Sequence, residues 1–181
     1  MAEVPTLESP RVILRNWRDD DVEAFARMNA DSRVTEFLRG AYPRERSEAV
    51  AAAIRSELDR NGYGWWVLEV RNGEPFAGVI ALQEVPFAAP FTPAYEIGWR
   101  LPFESWGRGY ATEGASAALD HAFGALHWPE VVAFTVRGNS RSRRVMERLG
   151  MSYDPADDFD HPKLEPGDPL RPHVLYRVKQ R

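Results

Sequence analysis

The order of strand and helix patterns predicts an α+β fold built on one mixed, mostly antiparallel β-sheet. Two helix patterns come first, apolar strands with short connections follow, and the chain then runs strand, helix, strand, helix, strand and strand. Runs of strands beside separate helices are typical of α+β folds. The 181 residues are expected to form one domain, residues 1–181, since they contain no internal repeat and no linker composition.

The first half of the chain contains two helix patterns followed by a hairpin. Its strand patterns are at residues 11–15, 65–70 and 76–82. Asp19 or Asp20 is expected to cap the first helix, because a carboxylate in this position accepts a free backbone N–H. The second helix is expected to begin at Pro43 and to end at Gly62, since proline and glycine favour these two positions. Asn72-Gly73, between the last two strands, predicts a tight hairpin turn.

The second half alternates strands and helices around two long connections. Its strand patterns are at residues 95–101, 130–136, 151–153 and 173–178. Apolar residues recur at helical spacing from Ala111 to Phe123, and Asn139 is expected to start a shorter helix that ends at Gly150. The connections at 85–93 and 154–172 are rich in proline and are expected to be loops.

Two glycines between the strand at 95–101 and the following helix indicate an anion-binding loop. Gly107 and Gly109 stand two residues apart directly before the helix. A strand that turns through glycines into a helix points free backbone N–H groups and the positive end of the helix dipole at one place. A side chain there would keep an anion away from the backbone. A plain glycine turn explains the same two residues, so their spacing alone leaves both interpretations open.

Composition excludes several classes of site and of partner. The chain has no cysteine, so disulfides, thiolate metal ligands and a cysteine nucleophile are excluded. Its net charge of −4 argues against general nucleic-acid binding, and its apolar runs are too short for a membrane span. The four histidines lack metal-ligand spacing, and the acidic start is unlike a signal peptide. We therefore expect a cytoplasmic protein with no metal, no membrane partner and no nucleic-acid partner.

A longer string around the two glycines resembles a known acetyl-CoA-binding loop. Trp106-Gly-Arg-Gly-Tyr-Ala-Thr-Glu113, after the strand Glu96-Ile-Gly-Trp99, is similar to the acetyl-CoA pyrophosphate loop of the GNAT N-acetyltransferases. The similarity is greatest to the branch of the bacterial ribosomal-protein N-terminal acetyltransferases, the RimJ/RimL-like enzymes. Glu104 stands where that pattern usually has glutamine or arginine, and the glycine loop itself is intact.

The resemblance covers nearly the whole chain and implies the GNAT fold. That fold has a mostly antiparallel mixed sheet with helices on both faces, and its two central strands splay apart to admit the pantetheine arm of acetyl-CoA. The resemblance also implies which residues contact acetyl-CoA, the donor of the acetyl group. They are Trp99, Arg100, Leu101, Trp106, Gly107, Arg108, Gly109, Tyr110, Ala111, Asn139 and Ser142.

A second stretch, residues 136–151, resembles the second acetyl-CoA motif of the same branch. It implies that Asn139 contacts the pantetheine arm, and an N-cap role explains the same residue and is compatible with that contact. Met146 stands where many GNAT enzymes have a tyrosine acid, and it has no proton to donate. In the ribosomal-protein branch a serine is the proposed substitute, and Ser142 matches it. The alternative for Ser142 is a hydrogen bond to a carbonyl in the preceding turn.

Arginines in these two stretches are further candidates for the phosphates of acetyl-CoA. They are Arg108, Arg141, Arg143, Arg144 and Arg148. A solvated helix face is the alternative, and we expect it for most of them.

Glu96, on the central strand, is the candidate base for acetyl transfer. The reaction needs a neutral amine, an oriented thioester, stabilisation of the oxyanion and a proton for the leaving thiolate. A backbone N–H near Trp99 to Leu101 is expected to polarise the thioester carbonyl. For Glu96 the alternative is a plain paired or solvent-facing carboxylate. A free α-amine has an unperturbed pKa near 8, so water is also a sufficient proton acceptor.

The sequence defines the acceptor amine less well than the donor. We expect acetylation of a protein or peptide N-terminal amine by a monomer or homodimer. A small amine or amino-acid-like metabolite is one alternative, and a non-catalytic acyl-CoA-binding protein is another. The polar candidates lie on the 85–93 and 154–172 loops, which favours an open groove over a closed pocket. The second loop carries several acidic residues that are expected either to attract a cationic amine or to face solvent.

Overall fold

The computed structural model describes residues 3–180, and in that range a nine-stranded sheet is combined with four α-helices. The strands are β1 (Leu7–Glu8), β2 (Val12–Arg15), β3 (Trp65–Val70), β4 (Gly78–Glu84), β5 (Tyr95–Arg100), β6 (Glu130–Val136), β7 (Ser152–Tyr153), β8 (Phe159–Asp160) and β9 (Pro172–Lys179). The helices are α1 (Asp21–Ala30), α2 (Arg44–Asn61), α3 (Tyr110–Gly124) and α4 (Ser140–Arg148). The predicted α+β class is confirmed.

The sheet is antiparallel except at its centre. Its strand order is β1-β2-β3-β4-β5-β6-β9-β7, with β8 beside β9, and β5 and β6 pair in parallel because α3 forms the crossover between them. β4 pairs with β5 over residues 79–84, and β9 pairs with the whole length of β6. β5 and β6 instead share a single residue pair, Glu96 with Val132. The two central strands therefore diverge after Glu96 and leave a gap between them.

Helices cover both faces of the sheet, as predicted. α3 packs closely on one face because Gly114 has no side chain: a Cβ there would lie 2.7 Å from Leu68 Cδ1 and 3.2 Å from Ile80 Cγ1. Arg100 pairs with the β4 residue next to Ile80, and side chains alternate between the faces of a strand. Arg100 therefore points to the other face, where it donates a hydrogen bond to Asn29 of α1.

Apolar side chains from both faces fill one core. The largest that are fully buried include Phe25, Leu58, Trp66, Leu68 and Ile80. Burying each such side chain contributes about 1.5–3 kcal/mol to stability. The core holds β3, β4 and β5 in register, and the register fixes which side chains face the central gap.

The helix ends follow the predicted signals at three positions. α2 begins directly after Pro43 and ends before Gly62, which has a left-handed φ of 73°. Asn139 caps α4 by accepting a hydrogen bond from the Ser142 N–H at 3.2 Å. Between residues 3 and 180 no helix is long and apolar enough to cross a membrane.

Three details of the predicted elements are wrong. Asp20 occupies the N-cap position of α1, but neither it nor Asp19 caps the helix with its side chain. Asp21 accepts a hydrogen bond from the Arg18 N–H instead, at 2.6 Å. β4 begins at Gly78 because the hairpin turn extends beyond Asn-Gly. β1 and β8 lie in segments where no strand was predicted, since two-residue strands are too short to show a periodicity.

Candidate active site

A cleft of about 480 Å³ opens where β5 and β6 diverge. Its walls come from the segment between α1 and α2, the second half of β5, the loop and first turn of α3, and α4. All the predicted contact residues line it except Arg108, whose side chain forms an ion pair with Glu74 at 3.4 Å. Contact of the Arg108 side chain with acetyl-CoA stays a prediction, and its backbone is part of the glycine loop.

The glycine loop presents its backbone to the cleft. Gly107 and Gly109 have left-handed φ angles of 73° and 84°, which favour glycine. The N–H groups of residues 107–112 have no backbone acceptor within the described chain. They lie at the N-terminus of α3, where the helix dipole adds partial positive charge. This end of the cleft is therefore suited to a phosphate or pyrophosphate.

A side-chain clamp holds this loop against the edge of the sheet. Arg11 donates from Nη1 to the Arg108 carbonyl at 3.1 Å and from Nε to Glu113 Oε2 at 2.7 Å. The Ser9 hydroxyl donates to the other oxygen of Glu113 at 2.8 Å. Burial acts to raise the pKa of Glu113, but the hydrogen bonds from Arg11 and Ser9 outweigh it and lower that pKa. Glu113 thus ties the first turn of α3 to the turn between β1 and β2.

The arginines of α4 divide between the cleft and the surface. Arg141 pairs with Glu36 and lies over the Trp106 ring at 4.7 Å from its centroid. Arg143 points elsewhere and donates to Tyr176 Oη at 3.2 Å. Arg144 and Arg148 line the cleft, and neither forms an ion pair in the described range. The rim beside the glycine loop is therefore cationic. Arg141, Arg144 and Arg148 are exposed, which fits the expected solvated helix face, and they also line the cleft.

Asn139 and Ser142 stand together at the start of α4. Asn139 accepts the Ser142 N–H, donates from Nδ2 to Thr135 Oγ1 at 3.0 Å, and also lines the cleft. The cap and a ligand contact are thus compatible. The Ser142 hydroxyl has no hydrogen-bond partner among residues 3–180, and the side chain is half-buried at the cleft wall. The alternative of a bond back to the preceding turn is therefore wrong.

Glu96 ends a chain of hydrogen bonds across three strands. Trp65 donates from Nε1 to Gln83 Oε1 at 2.7 Å, and Gln83 donates from Nε2 to Glu96 Oε1 at 3.0 Å. An indole N–H is only a donor, so Trp65 fixes the amide of Gln83 with its NH₂ group toward Glu96. Glu96 Oε2 is buried and has no hydrogen-bond partner in the part of the chain described. The residue lines the cleft at the point where β5 leaves β6.

The environment of Glu96 changes its acidity. Burial raises its pKa to about 7, although the hydrogen bond from Gln83 and the positive charge of Lys163 act to lower it. Carboxylate and carboxylic acid are therefore both populated at neutral pH. The alternative of a solvent-facing carboxylate is wrong, because one oxygen is bonded and the other is shielded from water.

The backbone of β5 beyond Glu96 borders the gap. No residue after Glu96 pairs with β6 in the described structure, so this edge of β5 has backbone groups available to a ligand. Leu101 is buried and its carbonyl accepts a hydrogen bond from Trp106 Nε1 at 2.8 Å. That bond joins the end of the strand to the start of the glycine loop.

Comparison with known proteins decides the family. Residues 11–152 match the family model described as "Acetyltransferase (GNAT) domain". The chain belongs to the GNAT acetyltransferase family. It is 32% identical over 151 residues to the uncharacterized protein YkkB of Bacillus subtilis, with 81% of this chain and 85% of YkkB covered. It is 30% identical over 156 residues to the FsC-acetyl coenzyme A-N(2)-transacetylase of Aspergillus fumigatus, covering 82% of this chain and 66% of that protein.

Solved structures agree with this assignment. An acetyltransferase from Agrobacterium tumefaciens is 28% identical, with a TM-score of 0.77 and coverage of 99% of this chain and 97% of that one. Ribosomal-protein acetyltransferases, including RimL in complex with coenzyme A, share the fold at 16–17% identity. This GNAT protein is thus an acetyl-CoA-dependent acetyltransferase. The free N–H groups, the cationic rim and the central gap fit that co-substrate.

Several cleft residues of the GNAT domain were not predicted from the sequence. They are Arg33, Phe37, Trp65, Thr135 and Phe134, with Gln83 behind them. Arg33 and Phe37 lie in turns between two helices, where no periodicity marks them. Trp65 and Gln83 could have been found only by aligning the β3–β4 and β4–β5 registers. Among residues 3–180, no group of three or more histidine, aspartate or glutamate side chains is placed to hold a metal ion.

Proposed function

We propose that this GNAT enzyme acetylates the N-terminal amine of a protein or peptide, with Glu96 as base and Ser142 as proton donor. The observation that carries the proposal is the buried Oε2 atom of Glu96, which has no hydrogen-bond partner among residues 3–180 and lies where β5 leaves β6. A general base is most effective when its pKa lies near the working pH, and the pKa of Glu96 is raised to about 7. A carboxylate buried for structural reasons alone would be expected to have both oxygens paired.

The donor end binds acetyl-CoA through backbone and arginine contacts. The N–H groups of residues 107–112 take the pyrophosphate, and Arg144 and Arg148 add positive charge beside it. Asn139, already held by Thr135, faces the pantetheine arm. The thioester then lies in the gap between β5 and β6, within reach of the β5 backbone.

The transfer uses residues on both sides of the gap. The amine nitrogen forms a bond to the acetyl carbon, and the bond between that carbon and sulfur breaks. Glu96 Oε2 accepts the proton that the amine loses, and a backbone N–H near Trp99 to Leu101 stabilises the oxyanion. The Ser142 hydroxyl donates a proton to the leaving sulfur and regains one from water. Met146, which is buried, takes no part.

A peptide acceptor is supported by the resemblance to the ribosomal-protein branch and by the openness of the site. Phe87 and Phe159, from the loops at 85–93 and 154–172, contact Phe134 of the cleft wall, so both loops can contribute to the acceptor side. A small amino-acid-like amine is the second candidate, since one relative is named for transfer to an N(2) position.

Acetyl transfer to a panel of amines tests the proposal. The enzyme and acetyl-CoA are incubated with free peptides, with N-terminally blocked peptides that contain lysine, with spermidine and with free amino acids. Thiol release gives the rates, and mass spectrometry locates the acetyl group. We expect free peptide N-termini to react fastest, because a lysine with a pKa near 10.4 stays protonated. Acetylation of lysine, or a faster reaction with a small amine, would contradict the proposal that the acceptor is a peptide N-terminus. Binding of acetyl-CoA without release of thiol would contradict the catalytic role.

A further inference from the structure

We propose that Glu96, Gly98 and Arg100 form the floor of an acceptor subsite for a peptide amine that carries an acidic side chain near its N-terminus. The inference rests on the proposed function and specifies its substrate class. It follows from the register of β5, from the unpaired charge of Arg100 and from the charges around the two residues.

The register places the three residues in a row on one face of the sheet. Glu96, Gly98 and Arg100 alternate along β5 and pair with Gln83, Ala81 and Val79 of β4. A Cβ on Gly98 would meet no atom within 4 Å, so the strand between the carboxylate and the guanidinium is open. The Cα atoms of Glu96 and Arg100 are about 13 Å apart, since each strand residue advances about 3.3 Å.

Arg100 lacks a counter-charge. It donates from Nη1 to Asn29 Oδ1 at 2.7 Å and lies 5.5 Å from the centre of the Tyr42 ring. Asn29 is fully buried and is itself held by Ser47 at 3.3 Å. Arg100 forms no ion pair with any carboxylate in residues 3–180. Burial lowers its pKa, with a further contribution from the nearby cation Arg46, although Tyr42 acts to raise it.

A partly desolvated guanidinium that contacts only neutral groups is energetically costly, and an anionic ligand removes that cost. Its remaining N–H donors are arranged to bind a carboxylate in a bidentate manner. Arg100 also lines the cleft, so a ligand there can reach it. An anion-binding role explains both observations.

The acidic loop before β9 holds part of its negative charge in ion pairs. Its carboxylates at Asp157, Asp158 and Asp160 pair with Arg177, Arg137 and Arg171. These three carboxylates are therefore neutralised by arginines, and attraction of a cationic amine by the loop stays a prediction. Three charged groups beside this row of residues are Lys163, Arg39 and Arg46, which influence Glu96, His161 and Arg100 respectively. All three are cations, so the surroundings favour an anionic acceptor.

The distance between Glu96 and Arg100 determines where in the peptide the acidic side chain must stand. An extended peptide advances about 3.3 Å per residue. With the amine at Glu96, an acidic side chain at the second, third or fourth residue therefore reaches Arg100. The pyrophosphate of acetyl-CoA is a less suitable partner, because the glycine loop begins α3, which covers the opposite face of the sheet.

Two matched peptides test the subsite. They have the same free N-terminus and differ only in having glutamate or glutamine at positions 2 to 4. We expect the wild-type kcat/KM to be at least tenfold higher for the glutamate peptide. Arg100→Met reduces the preference to less than twofold, and Arg100→Lys keeps part of it. Arg55→Met, on α2 and paired with Asp19, is the control that leaves the preference intact.

Gly98→Ala provides a second test if Arg100→Met does not fold. Its methyl group meets no protein atom, so melting temperature is retained, while the KM for the glutamate peptide rises at least fivefold. Equal wild-type rates with the two peptides, or an unchanged preference in Arg100→Met, would each overturn the subsite. Failure of the wild type to acetylate either peptide would instead contradict the proposed function.

Discussion

The two ends of the cleft are built differently. The difference explains how one fold can keep acetyl-CoA as its donor while the amine that it acetylates changes with sequence. The donor end is a continuous stretch, residues 107–112, that presents backbone N–H groups at a helix N-terminus. The proposed acceptor end is assembled from the side chains of Trp65, Gln83, Glu96 and Arg100 on three strands. Backbone contacts survive most substitutions, whereas side-chain contacts change with each one.

Removing the proton donor is expected to lower turnover strongly. Ser142→Ala should lower kcat by about 10²-fold, since a positioned acid contributes about 10²–10⁴-fold and water replaces part of it. The Kd for acetyl-CoA should change less than kcat. Ser140→Ala, two residues earlier and exposed, is the matched control. Unchanged turnover, together with an unchanged melting temperature, would show that the Ser142 hydroxyl takes no part in the reaction.

Removing the buried carboxylate is expected to stabilise the protein at alkaline pH. The pKa of Glu96 is raised from 4.5 to about 7 in the folded protein. The free energy of unfolding therefore falls as the pH rises through that range, because the buried carboxyl group must ionise. Glu96→Gln avoids this loss and should be more stable at pH 8 by up to about 3 kcal/mol. At pH 4.5 the gain should disappear. Denaturant unfolding at both pH values measures it, with exposed Glu84→Gln as control, and an equal effect at both pH values would contradict the buried charge.

Side chains in the glycine loop are expected to weaken donor binding. Gly107→Val or Gly109→Val should reduce acetyl-CoA affinity at least tenfold, about 1.4 kcal/mol, because each places a side chain between the backbone and the pyrophosphate. Gly167→Val is the matched control, since Gly167 also has a positive φ, 89°, and open space around it. Calorimetry on the folded variants measures their affinity for acetyl-CoA. An unchanged affinity would show that the loop does not bind the pyrophosphate.

The smallest expected effect concerns Trp65, which fixes the amide of Gln83. Trp65→Phe frees that amide to rotate, so the carboxylate of Glu96 loses a donor and its pKa rises further. The acid limb of the kcat/KM profile should move to higher pH by less than one unit, and Gln83→Leu should move it in the same direction. Trp66→Phe removes an indole donor on the opposite face of β3 and should leave the limb in place. If the acid limb of the Trp65→Phe profile also stays at the wild-type pH, Trp65 does not influence the pKa of Glu96.

The sequence was sufficient to predict the donor end because its signals are local. Gly107, Gly109, Asn139 and Ser142 lie within short motifs at strand and helix ends, and all four line the cleft. The sheet, its helices on both faces and the divergence after Glu96 were likewise expected from element order and family resemblance.

The acceptor end could not be predicted in the same way, because its contacts join residues far apart in the chain. Gln83 faces Glu96 only through the β4–β5 register, and Arg100 meets Asn29 across 71 residues. The pairing of Asp157 with Arg177 was missed for the same reason. Such pairings depend on tertiary packing, which no short motif encodes.

The pH dependence of kcat/KM for a peptide amine, measured for the wild type and for Glu96→Gln, tests the central claim most directly. A catalytic carboxylate with a pKa near 7 must be ionised, so the wild-type rate should fall as the pH drops through that value. Glu96→Gln should be slower by about 10²-fold or more at pH 8, and its profile should contain one ionisation fewer, leaving that of the acceptor amine. If the variant keeps the full rate and the same two ionisations as the wild type, Glu96 is not the base.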